Sequence, residues 1–468
     1  MFFAQYYLDC LSQASYMIAD EGTGKAVVVD PRRDVAEYLA DAEARGFSVV
    51  GVINTHFHAD FVAGHLEMAA RTGAWIGYGR RAETEYPIRK LADGEIIGLG
   101  DVALEIMETP GHTPESISVL VHERHGHGHG HDTVPYGVLT GDALFIGDVG
   151  RPDLLASTGV SAEELGAMLY DSVQNKLMGL PDEVRVFPAH GAGSACGKNL
   201  STEKQSTIGA ERAANYACAP MSRAEFVAIV TAGQSAAPGY FAYDAVLNRK
   251  DRELFDPAGA PRPLTPAEFI ARRAAGAVVL DARGPQEFAT GHLIGSINVP
   301  ADGRFAEQAG TVLPTGTDLL VVAPQNREEE IVTRLARIGF DRVAGYLRSP
   351  DDALAAVAEH VTPARRLTAA HVRAALDGDN PPVVVDLRTC GERGETGFID
   401  GALHVPLGEL PLRLDEIPRE RPLVLHCAGG HRSSIGASLL RHHGFTDVSD
   451  LLGGHAAWAP LSTPAAAV

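Results

Sequence analysis

From residue 278 onward the sequence is written twice. Val278-Val279-Leu280-Asp281-Ala282-Arg283 returns as Val384-Val385-Asp386-Leu387-Arg388, and Ile338-Gly339-Phe340 returns as His443-Gly444-Phe445, at one shared offset of 105 residues (Asp281 to Asp386, Gly339 to Gly444). No gap is needed between these anchors, so the half reads as two copies of one α/β unit. The copies part where chemistry would sit. Cys427-Ala428-Gly429-Gly430-His431-Arg432 in the second copy stands opposite Val322-Ala323-Pro324-Gln325-Asn326-Arg327 in the first, which has no thiol. Leu423-Val424-Leu425-His426 reads as a strand entering Cys427, and Ser433 to Leu440 as a helix leaving Arg432. The residues between them can curl, helped by Gly429 and Gly430, so that backbone N–H groups and a helix N-terminus surround the sulfur, a setting that lowers a thiol pKa and stabilises a persulfide anion.

The first half has a different grammar. Val27-Val28-Val29 leads to Asp30-Pro31. Val35, Tyr38, Leu39 and Ala42 recur at helical spacing before Gly46, and Ser48 to Asn54 reads as a buried strand. Directly after it comes Thr55-His56-Phe57-His58-Ala59-Asp60-Phe61. Further strand-like runs end at Pro110-Gly111-His112-Thr113, Thr140-Gly141-Asp142 and Pro188-Ala189-His190. Each ends in a group that can bind a metal, at the strand carboxyl ends where open α/β sheets hold ligands. Asp251 to Pro266, rich in Pro, Gly and charge, reads as a linker. The His122–His131 tract reads as a solvated hairpin extension; its alternation with glycine leaves no fixed geometry for a catalytic ion.

The four ordered pieces around His56, His112, Asp142 and His190 resemble the metallo-β-lactamase superfamily, which implies an αββα sandwich for residues 1–250. Members holding two metals usually read H-x-H-x-D-H. Here Phe61 stands in the last position, and phenylalanine cannot coordinate. With Gly150-Arg151-Pro152-Asp153 the pattern is most similar to persulfide dioxygenases. That resemblance implies one Fe(II) held by His56, His112 and Asp142, with His58, Asp60 and His190 backing the ligands or lining the pocket and His58 open as a fourth ligand. Three ligands on an octahedral ion leave three positions, enough for a persulfide sulfur and dioxygen. Arg151 is either an anchor for a substrate carboxylate or half of an ion pair. Cys196, six residues past His190 on a glycine-rich loop, either relays sulfane sulfur or is packed and inert. Cys390 follows Arg388 on an expected loop and takes no role.

The second-half repeats resemble the rhodanese family through Asp386-x-Arg388, Gly401-Ala402-Leu403-His404-Val405-Pro406 and the six-residue loop. This implies an inactive rhodanese-like domain over residues 263–352 and an active one over 365–468, with Cys427 as the sulfur-accepting nucleophile and Arg432 completing the loop. The fold class expected is therefore multidomain α/β and α+β. The function expected is a persulfide dioxygenase that makes sulfite, coupled to a sulfurtransferase that makes thiosulfate. A zinc thiolesterase of glyoxalase II type is the enzyme alternative. A persulfide sensor or sulfur carrier is the non-enzyme one.

A chain of 468 residues has room for about three domains at roughly 150 residues each. Its net charge of −20 argues against nucleic acid or an anionic membrane as partner. The expected partners are a small-molecule persulfide, dioxygen, and sulfite or thiosulfate, with a homo-oligomeric assembly. Five scattered cysteines do not form a disulfide framework. The start of the chain lacks a signal-peptide pattern and no stretch is long enough to span a membrane, so a cytoplasmic location is expected.

Overall fold

The computed structural model describes residues 1–123, 134–154, 159–234, 236–259 and 261–462. Most of the histidine–glycine tract, from residue 124 onward, lies outside them. The chain separates into two compact units. The first comprises Met1–Asp256 with Ala336–Gly339, and the second comprises Pro257–Leu335 with Phe340–Val468.

In the first unit, β1 (Phe2–Leu8), β2 (Gln13–Asp20), β3 (Lys25–Val29), β4 (Ser48–Ile53), β5 (Trp75–Gly79) and β6 (Arg89–Leu91) form one sheet in sequence order. The other sheet contains β7 (Ile96–Gly98), β8 (Val102–Glu108), β9 (Ile117–Glu123), β10 (Gly137–Gly141), β11 (Arg185–Pro188) and β12 (Ser206–Thr207), ordered β12-β11-β10-β9-β8-β7. The period of two explains the stacking. On β2, Tyr16 and Ile18 face the core shared with Val119, Val121, Leu139 and Phe187 of the other sheet, while Met17 and Ala19 join Tyr38, Ala42 and Met68 on the outer side, under the helices Ala36–Arg45 and His65–Thr72. Leu120 and Val138 face outward onto Leu169 and Val173. Each sheet is thus apolar on both faces, and two helical layers cover the pair. Gly46 ends the first helix in the left-handed region, as its position suggested.

In the second unit the repeat becomes visible as topology. The first copy holds β13 (Pro263–Leu264), β14 (Val278–Asp281), β15 (His292–Leu293), β16 (Ile297–Asn298), β17 (Leu319–Val322), β18 (Val343–Leu347) and β19 (Val361–Thr362). The second holds β20 (Arg365–Leu367), β21 (Val383–Asp386), β22 (Leu403–His404), β23 (Leu423–His426) and β24 (Val448–Leu451). Their main sheets run β13-β18-β17-β14-β16 and β20-β24-β23-β21-β22, parallel throughout and with matching crossovers, while β15 and β19 form a separate antiparallel pair.

Two expectations are corrected. Cys390 is not on a loop: it opens the helix Cys390–Thr396, because Thr389 and Glu392 form a reciprocal capping box around it. Asp251–Pro266 is not linker throughout. Arg252 is buried against Glu67, β13 lies within the segment, and Thr265 caps the helix that starts at Pro266. Among the described residues no helix is long and apolar enough to cross a membrane.

Candidate metal centre and thiol loop

Four strand ends of the first unit converge. His56 follows β4, His112 follows β8, Asp142 follows β10 and His190 follows β11. One donor atom from each of His56, His112 and Asp142 lies within 4.8 Å of the others, and all three residues are buried. His56 Nε2 stands 3.8 Å and His112 Nε2 3.5 Å from Asp142 Oδ2. Those spacings suit donors around a shared cation better than a direct hydrogen bond. His56 Nε2 and Asp142 Oδ2 are also buried with no hydrogen-bond partner, which is costly unless a cation meets them. Nitrogen and carboxylate donors suit iron(II) or zinc, so the residues fit such an ion.

The opposite edges of these groups are fixed. His112 Nδ1 bonds to the Arg151 carbonyl at 2.8 Å, and His56 Nδ1 lies 3.0 Å from Thr55 Oγ1, which donates to Asp30 Oδ2 at 2.9 Å. Burial and neighbouring His58 hold the His56 pKa well below the ordinary imidazole value, and burial lowers that of His112, so both present neutral rings. Burial alone would raise the Asp142 pKa, but His190, charged and hydrogen-bonded to Oδ1, outweighs it and keeps the carboxylate ionised. His190 is the converse case. Burial opposes its charge, yet Asp142 and Asp60, each 2.8 Å from a ring nitrogen, raise its pKa well above normal.

His58, left open as a fourth ligand, pairs through Nε2 with Asp30 Oδ1 at 3.0 Å and falls into a second buried donor set with Asp60 and His190. Phe61 packs on it, ring centroids 4.3 Å apart. Cys196 is buried beside Asp142 and His190. Burial, with the Asp60 and Asp142 carboxylates, pushes its thiol pKa well up, which keeps it protonated. Arg151 is buried and its guanidinium is paired with both Asp153 oxygens at 2.6 and 2.7 Å, the ion-pair alternative. What it gives the site is its carbonyl.

Two residues escaped the sequence reading. Asp30, buried with φ +52° at the end of β3, accepts Thr55 N–H and Thr55 O–H and faces His58, fixing the turn that carries both histidines. Its place at a strand carboxyl end before Pro31 was the available signal. Asn248 donates to the carbonyls of His58 and Phe61 and accepts from Ala63 N–H, holding the other end of that turn from about 190 residues away. Nothing local marks it.

In the second unit Cys427 follows β23 and is buried, with Gly430 N–H 3.2 Å from its sulfur and Ser433 Oγ at 3.9 Å. Gly430 has φ +90°, and its own Cβ would lie 2.9 Å from Gly453 N. Glycine is required there by both conformation and space. Arg432 starts the helix Arg432–His442, and burial works against its charge, but hydrogen bonding to Glu392 and to Cys427 sustains it. Asp386 and Arg388 form a buried bidentate pair below, and Asp281 and Arg283 repeat it in the copy without the thiol.

The metallo-beta-lactamase superfamily model matches residues 8–190, and the rhodanese-like domain model matches residues 265–348 and 368–460. A metallo-beta-lactamase from Staphylococcus aureus subsp. aureus COL, known from its crystal structure, is 32% identical, with a TM-score of 0.66, over 74% of this chain and 98% of that one. Hydroxyacylglutathione hydrolase of Polaromonas sp. (strain JS666 / ATCC BAA-500) is 32% identical over 182 residues, 38% of this chain and 61% of that protein. Persulfide dioxygenase ETHE1, mitochondrial, of Homo sapiens is 29% identical over 178 residues, 38% of this chain and 63% of that protein. The chain therefore spans about three fifths of the length of these two curated relatives. With its two mixed sheets, its buried histidine–aspartate cluster and two parallel sheets later in the chain, the chain belongs to the metallo-beta-lactamase superfamily and carries two rhodanese-like domains after it in sequence.

Proposed function

We propose that the chain is a persulfide dioxygenase joined to a sulfurtransferase. The observation that carries this reading is the set His56, His112 and Asp142 beside Phe61, three ligands for one ion where a histidine for a second is replaced. A ferrous ion held there would bind dioxygen and a persulfide sulfur together and pass electrons to oxygen, which zinc does not do. The chain's own residues supply the rest. Asp142 gives fixed negative charge, the Arg151 carbonyl and Thr55 orient the two imidazoles, and His190 holds Asp142 in place through Oδ1. Phe61 and Phe145 pack around His190 and limit water. The balanced reaction is RSSH + O2 + H2O giving RSH, sulfite and two protons.

Cys427 then does the second reaction. Its thiolate attacks the outer sulfur of another persulfide, the S–S bond breaks, and RS− leaves. Sulfite takes the sulfane sulfur from Cys427 as thiosulfate and restores the thiolate. Joining the two activities on one chain raises the local concentration of sulfite at its acceptor site. The substrate is a low-molecular-weight persulfide such as glutathione persulfide, and the role is clearance of sulfide-derived persulfide.

The test is an oxygen-electrode trace on anaerobically iron-loaded protein given glutathione persulfide, with sulfite and thiosulfate assayed in the same sample. Oxygen uptake is expected, and Cys427→Ser should leave sulfite while losing thiosulfate. Full thiosulfate yield from that variant would defeat the division of labour. A second reading, a zinc hydrolase of glutathione thioesters, is favoured by the His58, Asp60 and His190 donor set and by the similarity to hydroxyacylglutathione hydrolase. Thioester hydrolysis without oxygen uptake would select it.

A further inference from the structure

The arginine that closes the thiol loop already has an anion. Arg432 Nη1 bonds to Glu392 Oε2 at 2.9 Å, and Nη2 bonds to Glu392 Oε1, so both prongs of the fork are filled. The pair is only partly buried, with side chains 25% and 32% exposed, so a solute can reach it. Glu392 does not owe its position to Arg432. Its Oε2 accepts from Thr389 N–H at 2.8 Å, and its own N–H donates to Thr389 Oγ1 at 3.3 Å, the capping box of the helix Cys390–Thr396.

The thiol-less copy separates capping from pairing. Glu287, opposite Glu392 at the repeat offset, keeps the capping contact, its Oε2 accepting from Gly284 N–H at 2.9 Å. Arg327, opposite Arg432, turns instead to Glu330 and Asp302. The capping glutamate is therefore common to both copies. Its bridge to the loop arginine occurs only where there is a cysteine to serve.

A planar guanidinium beside a persulfide-bearing cysteine is the natural seat for a small sulfur oxyanion, since its fork matches two oxygens on one centre. We infer that Glu392 is an internal competitor for that seat, a positioning residue that weakens the hold of Arg432 on sulfite and thiosulfate and so helps product thiosulfate leave. This rests on the sulfurtransferase reading for its substrates, while the occupied fork is independent of it. In the step concerned, sulfite sulfur bonds to the outer sulfur of the Cys427 persulfide, the S–S bond to Cys427 breaks, and its electrons return to the Cys427 thiolate. Thiosulfate is left against Arg432, and Glu392 retakes the fork as it departs.

The variant is Glu392→Gln in the full-length chain, since an amide oxygen can still cap the helix. Thiosulfate-to-cyanide sulfur transfer should show a KM for thiosulfate at least fivefold lower, with kcat unchanged or reduced as release slows. A KM that stays or rises overturns the inference. A second readout needs no sulfurtransferase activity. Cys427 alkylation by anionic iodoacetate and neutral iodoacetamide, read on the Cys427 peptide by mass spectrometry, should show their rate ratio rising at least fivefold in Glu392→Gln. In an Arg432→Gln background the same change should have less than a twofold effect. An unchanged ratio, or an equal rise without Arg432, overturns the inference. If wild-type protein moves no sulfur from thiosulfate, the sulfurtransferase reading falls, and the alkylation ratio still decides whether Glu392 occupies the seat.

Discussion

Gly150→Ala tests whether the ligand set is held by backbone packing. A Cβ on Gly150 would lie 2.1 Å from the Asp142 carbonyl oxygen and 3.0 Å from His112 Nδ1, and Gly150 N–H donates to that same carbonyl at 3.1 Å. Relieving the first clash means parting the two strands of chain by about 1 Å, and neither contact is the free end of a flexible side chain. One strand carries Asp142. The other carries the Arg151 carbonyl that orients His112. Loss of such orienting contacts typically lowers metal affinity about 10- to 100-fold, or about 1.4–2.7 kcal/mol, and the overpacking should cost about 1–3 kcal/mol of stability. The assay is anaerobic titration of apo-protein with ferrous iron against a chromophoric chelator. Gly98→Ala, where an added Cβ meets nothing within 4 Å, is the control. Binding by Gly150→Ala within about threefold of wild type would refute the reasoning, because the carbonyl would then have moved without the ligands.

Further changes probe the other features. Phe61→His should raise metal uptake from one equivalent to two in zinc titrations, as it completes the set of His58, Asp60 and His190; a constant stoichiometry would show that Phe61 is not what limits it. Gly454 has φ +57° and its Cβ would lie 2.4 Å from the Cys427 carbonyl oxygen, so Gly454→Ala should slow sulfur transfer about 100-fold while oxygen uptake continues. Glu67, buried between Arg33 and Arg252, should cost about 3 kcal/mol when changed to Gln, seen as a lower urea midpoint. Burial holds His426 and His292 down at about 4. An unfolded histidine titrates near ~6.5, so between these values the unfolded chain binds more protons. The contribution of each is complete above ~6.5 and is lost progressively as pH falls from there to about 4, about 2 kcal/mol apiece by about pH 5. A chemical-denaturation midpoint for the second unit that is flat from about pH 7 to about 5 would contradict this.

How far the site could be seen in the sequence follows from the range of the contacts that build it. His56, His112, Asp142 and His190 each end a strand of recognisable pattern, and converging strand ends are a property of the layered α/β fold, so periodicity and residue type together located them. Asp30 was visible only as a strand end. Its role depends on a left-handed backbone and on Thr55 and His58 from the neighbouring strand, which no local pattern encodes. Asn248 acts across about 190 residues through three backbone groups, and side chain to backbone bonds of that kind leave no complementary residue to find. For Arg151 the residue type leaves two roles open, a substrate anchor or half of an ion pair, and Asp153 two positions on fills its fork and decides for the pair. Cys390 opens a helix where a loop is expected because Thr389 and Glu392, three residues apart, close a capping box around it.

The duplicated half shows which motif residues report fold and which report chemistry. The buried Asp–Arg pair survives in both copies with the same bidentate geometry, Asp281 with Arg283 and Asp386 with Arg388, although only one copy has a thiol to activate. Burying an aspartate without its arginine would leave an uncompensated charge, so the pair is kept whether or not the loop above it works. The capping glutamates behave likewise. Within the loop the copies differ at Cys427, Gly429, Gly430 and His431, opposite Val322, Pro324, Gln325 and Asn326; the left-handed Gly430 brings an N–H to the sulfur, and the shared arginine turns toward Glu392 only as Arg432. A rhodanese-like match resting on Asp-x-Arg alone therefore establishes a sheet and its crossover. Sulfur chemistry has to be argued from the loop, and on this chain only the second loop supports that argument.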